Sequence, residues 1–358
     1  MRTLKHNSPI LILPGFVWLL IVLTFGSVLT GCNLKSKKSQ IQEVQIEKSN
    51  VTNKEITVVN FLPYWVTSSQ FAGYYVAEET GIYRKYGIRL NIIPYQPFIT
   101  STDYIKDNRT DFAALWLVNA LELKTSGVDI VNIAQLSTRS SLMMVTKKKS
   151  GINTIEQMNG KKAGIWSGFE LQPKALFKKY NLDVKIVPIG STNNLFLMDG
   201  VEITNANWFD EYHSIINSGY DPEELNTFFF ADHGLNFLED GIYCLSDLRK
   251  SNPKLCSDFV KATIEGWKLA FSNPEMAIDI VINHAKKNNQ PINRVHQKWM
   301  LERYRDLYLP KESAEMNTVL LENDYELVGN VLKNGGLIKE LPIFRNFYQP
   351  VINNKSNN

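Results

Sequence analysis

The sequence predicts an α/β protein of two lobes, completed by a run of helices. Three observations carry this reading. Short β-branched apolar runs alternate with amphipathic segments from Ile56 to Thr146. The same alternation begins afresh near Thr154 and continues to Ala231. From Gly241 onward one strand is followed by apolar residues at helical spacing only. Strand–helix alternation of this kind builds a sheet with helices on its faces.

In order, Ile56 to Phe61 is a β-branched first strand, broken by Pro63-Tyr64-Trp65. Gln70 to Gly81 reads as a helix that ends at glycine. Ile88 to Ile93 is a strand, Asp103 to Asn108 a short helix and Phe112 to Leu115 a short strand. Leu117 to Thr125 is a helix closed by Gly127, followed by strands at Val131 to Leu136 and Leu142 to Thr146. In the second series, a short helix carries Ile155 and Met158, and Lys162 to Trp166 is a strand. Pro173 to Tyr180 is a helix with proline in its first turn. Val184 to Pro188, Glu202 to Asn207 and Phe228 to Ala231 are strands; Asn193 to Met198 and Glu211 to Asn217 are helices. After the strand Ile242 to Leu245, the residues Val260, Ile264, Trp267 and Phe271 share one helical face, with Trp267 expected in the core. Further helices follow at Met276 to His284, Tyr304 to Leu309 and Asp324 to Leu332.

The first residues place the chain outside the cytoplasm. Arg2 and Lys5 precede an apolar run from Ile10 to Leu29, closed by Leu29-Thr30-Gly31-Cys32. This describes a secretory signal, and small residues before a cysteine resemble the bacterial lipobox, in which Cys32 would be lipidated. A retained membrane-spanning anchor is the alternative reading of the same run. Asn33 to Asn53 is polar and rich in Lys, Ser and Gln, as a flexible tether is. The expected organisation is a signal peptide at 1–31, a tether at 32–53, a first lobe at 54–146 and 240–350, a second lobe at 147–239, and a tail at 351–358. The formal charge is +3, and loss of Arg2 and Lys5 with the leader takes it to +1. That field is too weak for a nucleic-acid partner, and Lys35 to Lys38 reads as a solvated patch beside the membrane. Cys244 and Cys256 are expected as buried free thiols, with a disulfide as the alternative. No Cys/His spacing fits zinc; His213, His233, His284 and His296 are expected to be structural or solvated.

Several motifs then occur in a fixed order. Ser69-Gln70-Phe71-Ala72-Gly73-Tyr74-Tyr75-Val76-Ala77 precedes Glu79-Thr80-Gly81-Ile82-Tyr83 and Tyr86-Gly87-Ile88. Asn108-Arg109-Thr110-Asp111-Phe112, Gly127-Val128-Asp129-Ile130, Ile133-Ala134-Gln135, Met158-Asn159-Gly160-Lys161-Lys162-Ala163-Gly164 and Asn273-Pro274-Glu275 follow. This ordered set resembles the thiamine-pyrimidine-synthase-like and sulfonate-binding-like solute-binding proteins. The resemblance implies a type II periplasmic-binding-protein fold, with ligand in a cleft between two α/β lobes and the C-terminal helices packed on the first lobe. It implies an ABC importer's binding protein, partnered by permease and ATPase subunits, without a cofactor. It implies also a rival, an enzyme that makes the thiamine pyrimidine from bound pyridoxal phosphate and its own histidine. That synthase carries Lys and His four residues apart where this chain has Leu115 and Asn119, and a cysteine cluster where Gly241 to Leu245 holds Cys244 alone. Both departures favour a non-catalytic protein.

Aromatic faces suit a flat ring, and a few polar groups suit its edge. The candidates in the first lobe are Tyr64, Trp65, Gln70, Trp116 and Asn119. In the second lobe they are Trp166, Ser167, Gly168 and Glu170, on a turn where the synthase cradles phosphate. The order Ser167-Gly168-Phe169-Glu170 departs from that turn and argues against phosphate. Asn207, Trp208, Glu211 and Tyr212 complete the set. Glu211 is the expected acceptor for an aminopyrimidine edge, or else a surface helix residue. Trp65 and Trp208 serve equally as packing. Arg139 would hold a sulfonate or nitrate, or else form a structural ion pair. The reading is a lipid-anchored, non-catalytic binding protein of the cell envelope for a thiamine-related aminopyrimidine.

Overall fold

The computed structural model describes residues 56–96, 100–309 and 315–352. The expected leader, Cys32, the tether and the tail from 353 lie outside them. Among the described residues, ten strands form two five-stranded sheets of matching design. The strands are β1 (Thr57–Leu62), β2 (Ile88–Ile92), β3 (Phe112–Leu115), β4 (Ile130–Gln135), β5 (Leu142–Lys147), β6 (Lys162–Trp166), β7 (Lys185–Ile189), β8 (Ile203–Asn207), β9 (Leu225–Phe229) and β10 (Gly241–Leu245). The first sheet runs β2-β1-β3-β10-β4 and the second β7-β6-β8-β5-β9. β1 pairs in parallel with β2 and β3, and β6 in parallel with β7 and β8. The inserted strand of each sheet is antiparallel to both neighbours: β10 to β3 and β4, and β5 to β8 and β9.

Each inserted strand has just crossed from the other sheet, and this corrects one expected boundary. The sequence pattern sets Leu142 to Thr146 in the first lobe, but β5 pairs Leu142 with Asn207 and Met143 with Phe229 in the second sheet. The first crossing therefore runs from Leu136 to Ser141. The reason is nonlocal: the segment's own residues fit either sheet, and its partners lie more than 50 positions away. The second crossing lies between the short 3-10 turn Phe230–His233 and β10.

The two crossings are stitched together by buried polar groups. The Glu239 carboxylate is fully buried and accepts from Ser140 Oγ at 2.9 Å, from the Ser141 amide at 3.1 and 3.2 Å, and from Ser141 Oγ at 3.2 Å. Its carbonyl accepts from Gln135 Nε2 and Ser137 Oγ. Asn236 accepts from the Ser140 amide at 2.8 Å and donates to the Thr138 carbonyl. Asp240 sits in the left-handed region, with φ of 53°, and its carbonyl accepts from the Leu136 amide.

The C-terminal helices extend the first lobe. Helix Pro253–Ser272 lies along Ala72–Glu79, and the approach depends on two glycines. A Cβ on Gly266 would come within 2.2 Å of the Gly73 carbonyl oxygen, and one on Gly73 within 2.3 Å of Trp267. Trp267 is fully buried, as the helical pattern predicts. Phe259 from the same helix stacks on Phe112 at 4.1 Å. Helix Glu322–Asn334 packs against both Leu117–Thr125 and Leu171–Lys179, so it spans the two lobes. Cys244 and Cys256 are free, buried thiols. Among the described residues, no helix is long and apolar enough to cross a membrane.

Burial, aided by the neighbouring Asp240 charge, pushes the Glu239 carboxyl up to about 8. A folded-state pKa above the usual carboxylate range gives stability that is full in acid and is lost as pH rises through about 8. Urea unfolding across that window should show wild-type stability falling, and Glu239→Gln should flatten the fall. Glu239→Leu should cost about 1–3 kcal/mol, because the serine donors lose their acceptor. Equal pH slopes for wild type and Glu239→Gln would contradict this assignment.

Candidate functional site

A cavity of ≈ 290 Å³ opens between the sheets, where strand ends meet helix starts. The loop after β1 supplies Tyr64 and Trp65, and the 3-10 turn Ser69–Phe71 supplies Gln70. The end of β3 supplies Leu115, with Trp116 and Asn119 opening the next helix. Across the cavity stand Trp166 at the end of β6 and Phe169 after it, Asn205 and Asn207 on β8, and Phe209, Asp210 and Glu211 beyond it.

Aromatic rings form a chain around this space. Trp65 meets Tyr95 at 5.6 Å and Trp166 edge-on at 6.2 Å. Trp166 meets Phe169 at 5.6 Å, Phe169 meets Trp116 at 5.7 Å, and Trp116 meets Tyr64 at 6.3 Å. Trp65 and Trp116 belong to the first lobe, while Trp166 and Phe169 belong to the second. The lobes therefore touch through ring contacts, each worth about 0.5–1.5 kcal/mol beyond area burial.

The polar groups are few and fixed in place. Tyr64 donates to Asp240 Oδ1 at 2.9 Å and accepts from Gln70 Nε2. Burial raises the Asp240 carboxyl to about 6, with the Tyr64 hydrogen bond working against that rise. Asn205 Oδ1 accepts from the Trp166 amide at 3.1 Å, and Asn207 Oδ1 from Ser141 Oγ at 3.0 Å. Glu211 opens the helix Glu211–Asn217, and its Oε2 accepts from the Asn207 amide at 2.8 Å. Burial, then the adjacent Asp210 charge, pushes the Glu211 carboxyl up to about 7. It is thus poised to donate or to accept near neutrality. Among the described residues the lining holds no Lys, Arg, His or Cys.

Of the expected residues, Tyr64, Trp65, Gln70, Trp116, Asn119, Trp166, Asn207 and Glu211 line the cavity. The others lie elsewhere. Trp208 packs on Phe229 at 5.6 Å and under the Arg303 guanidinium at 4.8 Å. Tyr212 is buried in the second lobe near Trp299. Gly168, with φ of 92°, turns the chain back, so that Glu170 accepts from its amide at 3.0 Å. Gly168 and Glu170 face a separate groove, Ser167 is exposed, and Phe169 takes the inward place. Arg139 lies outside the lining, paired with Asp232 at 2.7 Å and over Phe229. Asn205, Phe169, Phe209 and Asp210 were absent from the expected set. Alternation along β8 was the available signal for Asn205, which shares a face with Asn207; Phe209 and Asp210 lie in the turn beyond the strand, where no period of two applies.

A model of the family described as NMT1/THI5 like matches residues 68–277. The chain is 22% identical over 298 residues to 4-amino-5-hydroxymethyl-2-methylpyrimidine phosphate synthase of Legionella pneumophila, covering 79% of this chain and 88% of that protein. It is 23% identical over 258 residues to the riboflavin-binding protein RibY of Chloroflexus aurantiacus, covering 70% and 69%. Among solved structures, the periplasmic aliphatic sulphonate binding protein SsuA of Escherichia coli superposes with a TM-score of 0.63 at 14% identity, covering 82% of this chain and 92% of that one. The fold is that of the periplasmic solute-binding proteins.

Removing the Tyr64 hydroxyl should strip a buried carboxylate of its donor. Tyr64→Phe should lower unfolding stability by about 1–3 kcal/mol in urea titrations. An unchanged midpoint would show that Asp240 does not depend on this bond.

Proposed function

The chain belongs to the NMT1/THI5-like family, and on that premise we propose that it is the solute-binding subunit of an ABC importer for a thiamine-related aminopyrimidine. The observation that supports this best is the cavity itself: aromatic walls, one carboxyl held near neutrality, and no cation among its described lining residues. A flat ring lies against Trp166 and Trp65. Its amino group donates to one Glu211 oxygen, and a ring nitrogen takes the proton of the other. One proton is shared by the pair, whichever partner carries it. Lobe closure about the two crossings completes capture.

The rival readings each meet an obstacle in the lining. Leu115 and Asn119 stand where the resemblance sets the synthase's Lys and His, and both line the cavity. Leu115 offers no amine for a Schiff base, and Asn119 offers no imidazole. A sulfonate or nitrate would face Asp210 and Glu211, while Arg139 is engaged with Asp232 outside the lining. Cys32 would tie the protein by lipid to the envelope membrane, with permease and ATPase subunits as its partners.

Thermal melting against a ligand panel tests this reading. Hydroxymethyl- and formylamino-pyrimidines should raise the melting temperature, since ligand at about 100 times Kd adds about 2.7 kcal/mol. Pyridoxal phosphate, taurine and nitrate should leave it unchanged. A shift with taurine or nitrate alone would overturn the ligand class. A pyridoxal-phosphate absorbance band trapped by borohydride would overturn the non-catalytic reading. In calorimetric titrations Glu211→Gln should weaken pyrimidine binding by about 1.5–3 kcal/mol. Wild-type affinity should fall as pH rises above about 7, because the shared proton is lost; the variant should lack that fall.

A further inference from the structure

Helix Arg294–Tyr308 packs with the first lobe and reaches across to the second. Its Tyr304 stacks on Trp267 at 5.9 Å, and its Gln297 accepts from the Ser69 amide at 2.6 Å. Further contacts meet one short stretch of the second lobe, from Trp208 to His213. Trp299 Nε1 donates to the Trp208 carbonyl at 2.9 Å. His296 Nε2 stands 3.0 Å from Asp210 Oδ1, and His296 Nδ1 stands 2.8 Å from His213 Nδ1. Trp299 stacks on the His213 ring at 4.8 Å. The same stretch carries Asp210 and Glu211, the two acids of the cavity wall among the described residues. Helix and wall are thus joined through Asp210.

We propose that this helix is a proton-sensitive clasp between the lobes: His296 is a positioning residue that holds Asp210 at the cavity wall, and it lets go when both facing imidazoles are charged. The proposal goes beyond ring capture and does not depend on the ligand's identity. Geometry sets the condition. Two Nδ1 atoms at 2.8 Å share one hydrogen, so one ring donates and the other accepts. Asn217 Nδ2, a donor, also faces His213 Nδ1 at 3.2 Å, which makes His213 the acceptor. A proton on His213 Nδ1 removes that acceptor and sets two cations face to face. Burial first, then the His296 charge, holds the His213 imidazole below its ordinary range; Asp210 acts against them and Arg303 with them. The other charges nearby are engaged or acidic. Arg303 pairs with Asp306 at 3.1 Å, and Arg294 and Lys298 pair with Glu275 on the preceding helix. Glu211 adjoins Asp210 on the second-lobe side. A ring whose proton affinity is lowered by the clasp favours the clasped arrangement fully above about pH 6.5, and progressively less as pH falls below it. Histidine changes charge in that window.

The test reads the separation of the lobes in the ligand-free full chain. Donor and acceptor dyes are coupled to azide-bearing residues introduced at Lys268 and Glu223, exposed positions in different lobes. Single-molecule energy transfer should show one compact population at about pH 7.5, and a second, wider one should grow in and dominate at about pH 5.5. His213→Gln removes one of the two facing charges and should keep the compact population in acid. His296→Ala should give the wide population at both pH values. His296→Gln keeps an amide donor and should restore compaction without the acid response. The glutamine variants cover the case in which His296→Ala fails to fold. Equal transfer at the two pH values in the wild type overturns the clasp. So does an acid response that survives both glutamine variants, which would move the switch to Glu211 or Asp240. No ligand is present, so either failure leaves the ring-capture reading standing.

Discussion

The buried carboxylate of Glu239 is the constraint on which the remaining architecture rests. A two-lobed protein with exchanged strands passes its chain twice between the lobes, and both passages leave backbone groups to satisfy away from water. Glu239 meets that need from both its ends. Its carboxylate gathers the Ser140 and Ser141 donors of the first crossing, and its carbonyl gathers Gln135 and Ser137. The two passages become one strap, and β5 and β10 start from it in register with sheets they did not originate in. The next residue, Asp240, holds Tyr64 and through it Gln70, both in the cavity wall. The residue that joins the two crossings and the residue that holds the cavity wall are thus consecutive in the chain.

Two features of the cleft bear on the proposed ligand. Rings from both lobes meet across it, so closure is favoured by contacts among the aromatics and by any flat molecule placed between them. The charges inside are acidic only, among the described residues, and one of them titrates near neutrality because it is buried beside a second carboxylate. Such a site suits the proposed ring, which brings a proton donor or shares a proton. On the proposed reading an anion would face Asp210 and Glu211 with no cation among the described lining residues.

Much of the fold was legible because strand and helix announce themselves locally. The breaks at Pro63, the glycine after Thr80 and the helical face of Trp267 all lie within a few residues of what they determine. What escaped was nonlocal or depended on orientation. The residues of β5 read as a strand in either lobe, and only its pairing with β8 and β9 decides between them. Glu239 looks like an ordinary solvated acid before a strand, because its donors lie about a hundred positions earlier. Within the site, residue type misled where direction mattered. Trp208 has the chemistry of a ligand platform but lies in the turn after β8 and packs on Phe229 and Arg303, while Asn205 shares the strand face of Asn207 and Phe209 reaches the lining from the same turn. At the Trp166 turn the left-handed Gly168 exchanges the expected polar residues for Phe169. The ordered motifs supplied the family, and the detailed lining came only from the folded chain.

The central claim is that this cleft holds an aminopyrimidine by its edge against Glu211 and by its face against tryptophan. A crystal structure of the chain grown with 4-amino-5-hydroxymethyl-2-methylpyrimidine tests it most directly. The account predicts the ring in contact with Trp166, its amino group within hydrogen-bonding distance of Glu211, and the lobes closed over it. A cavity filled with water alone, or a ring seated away from Glu211, would contradict it.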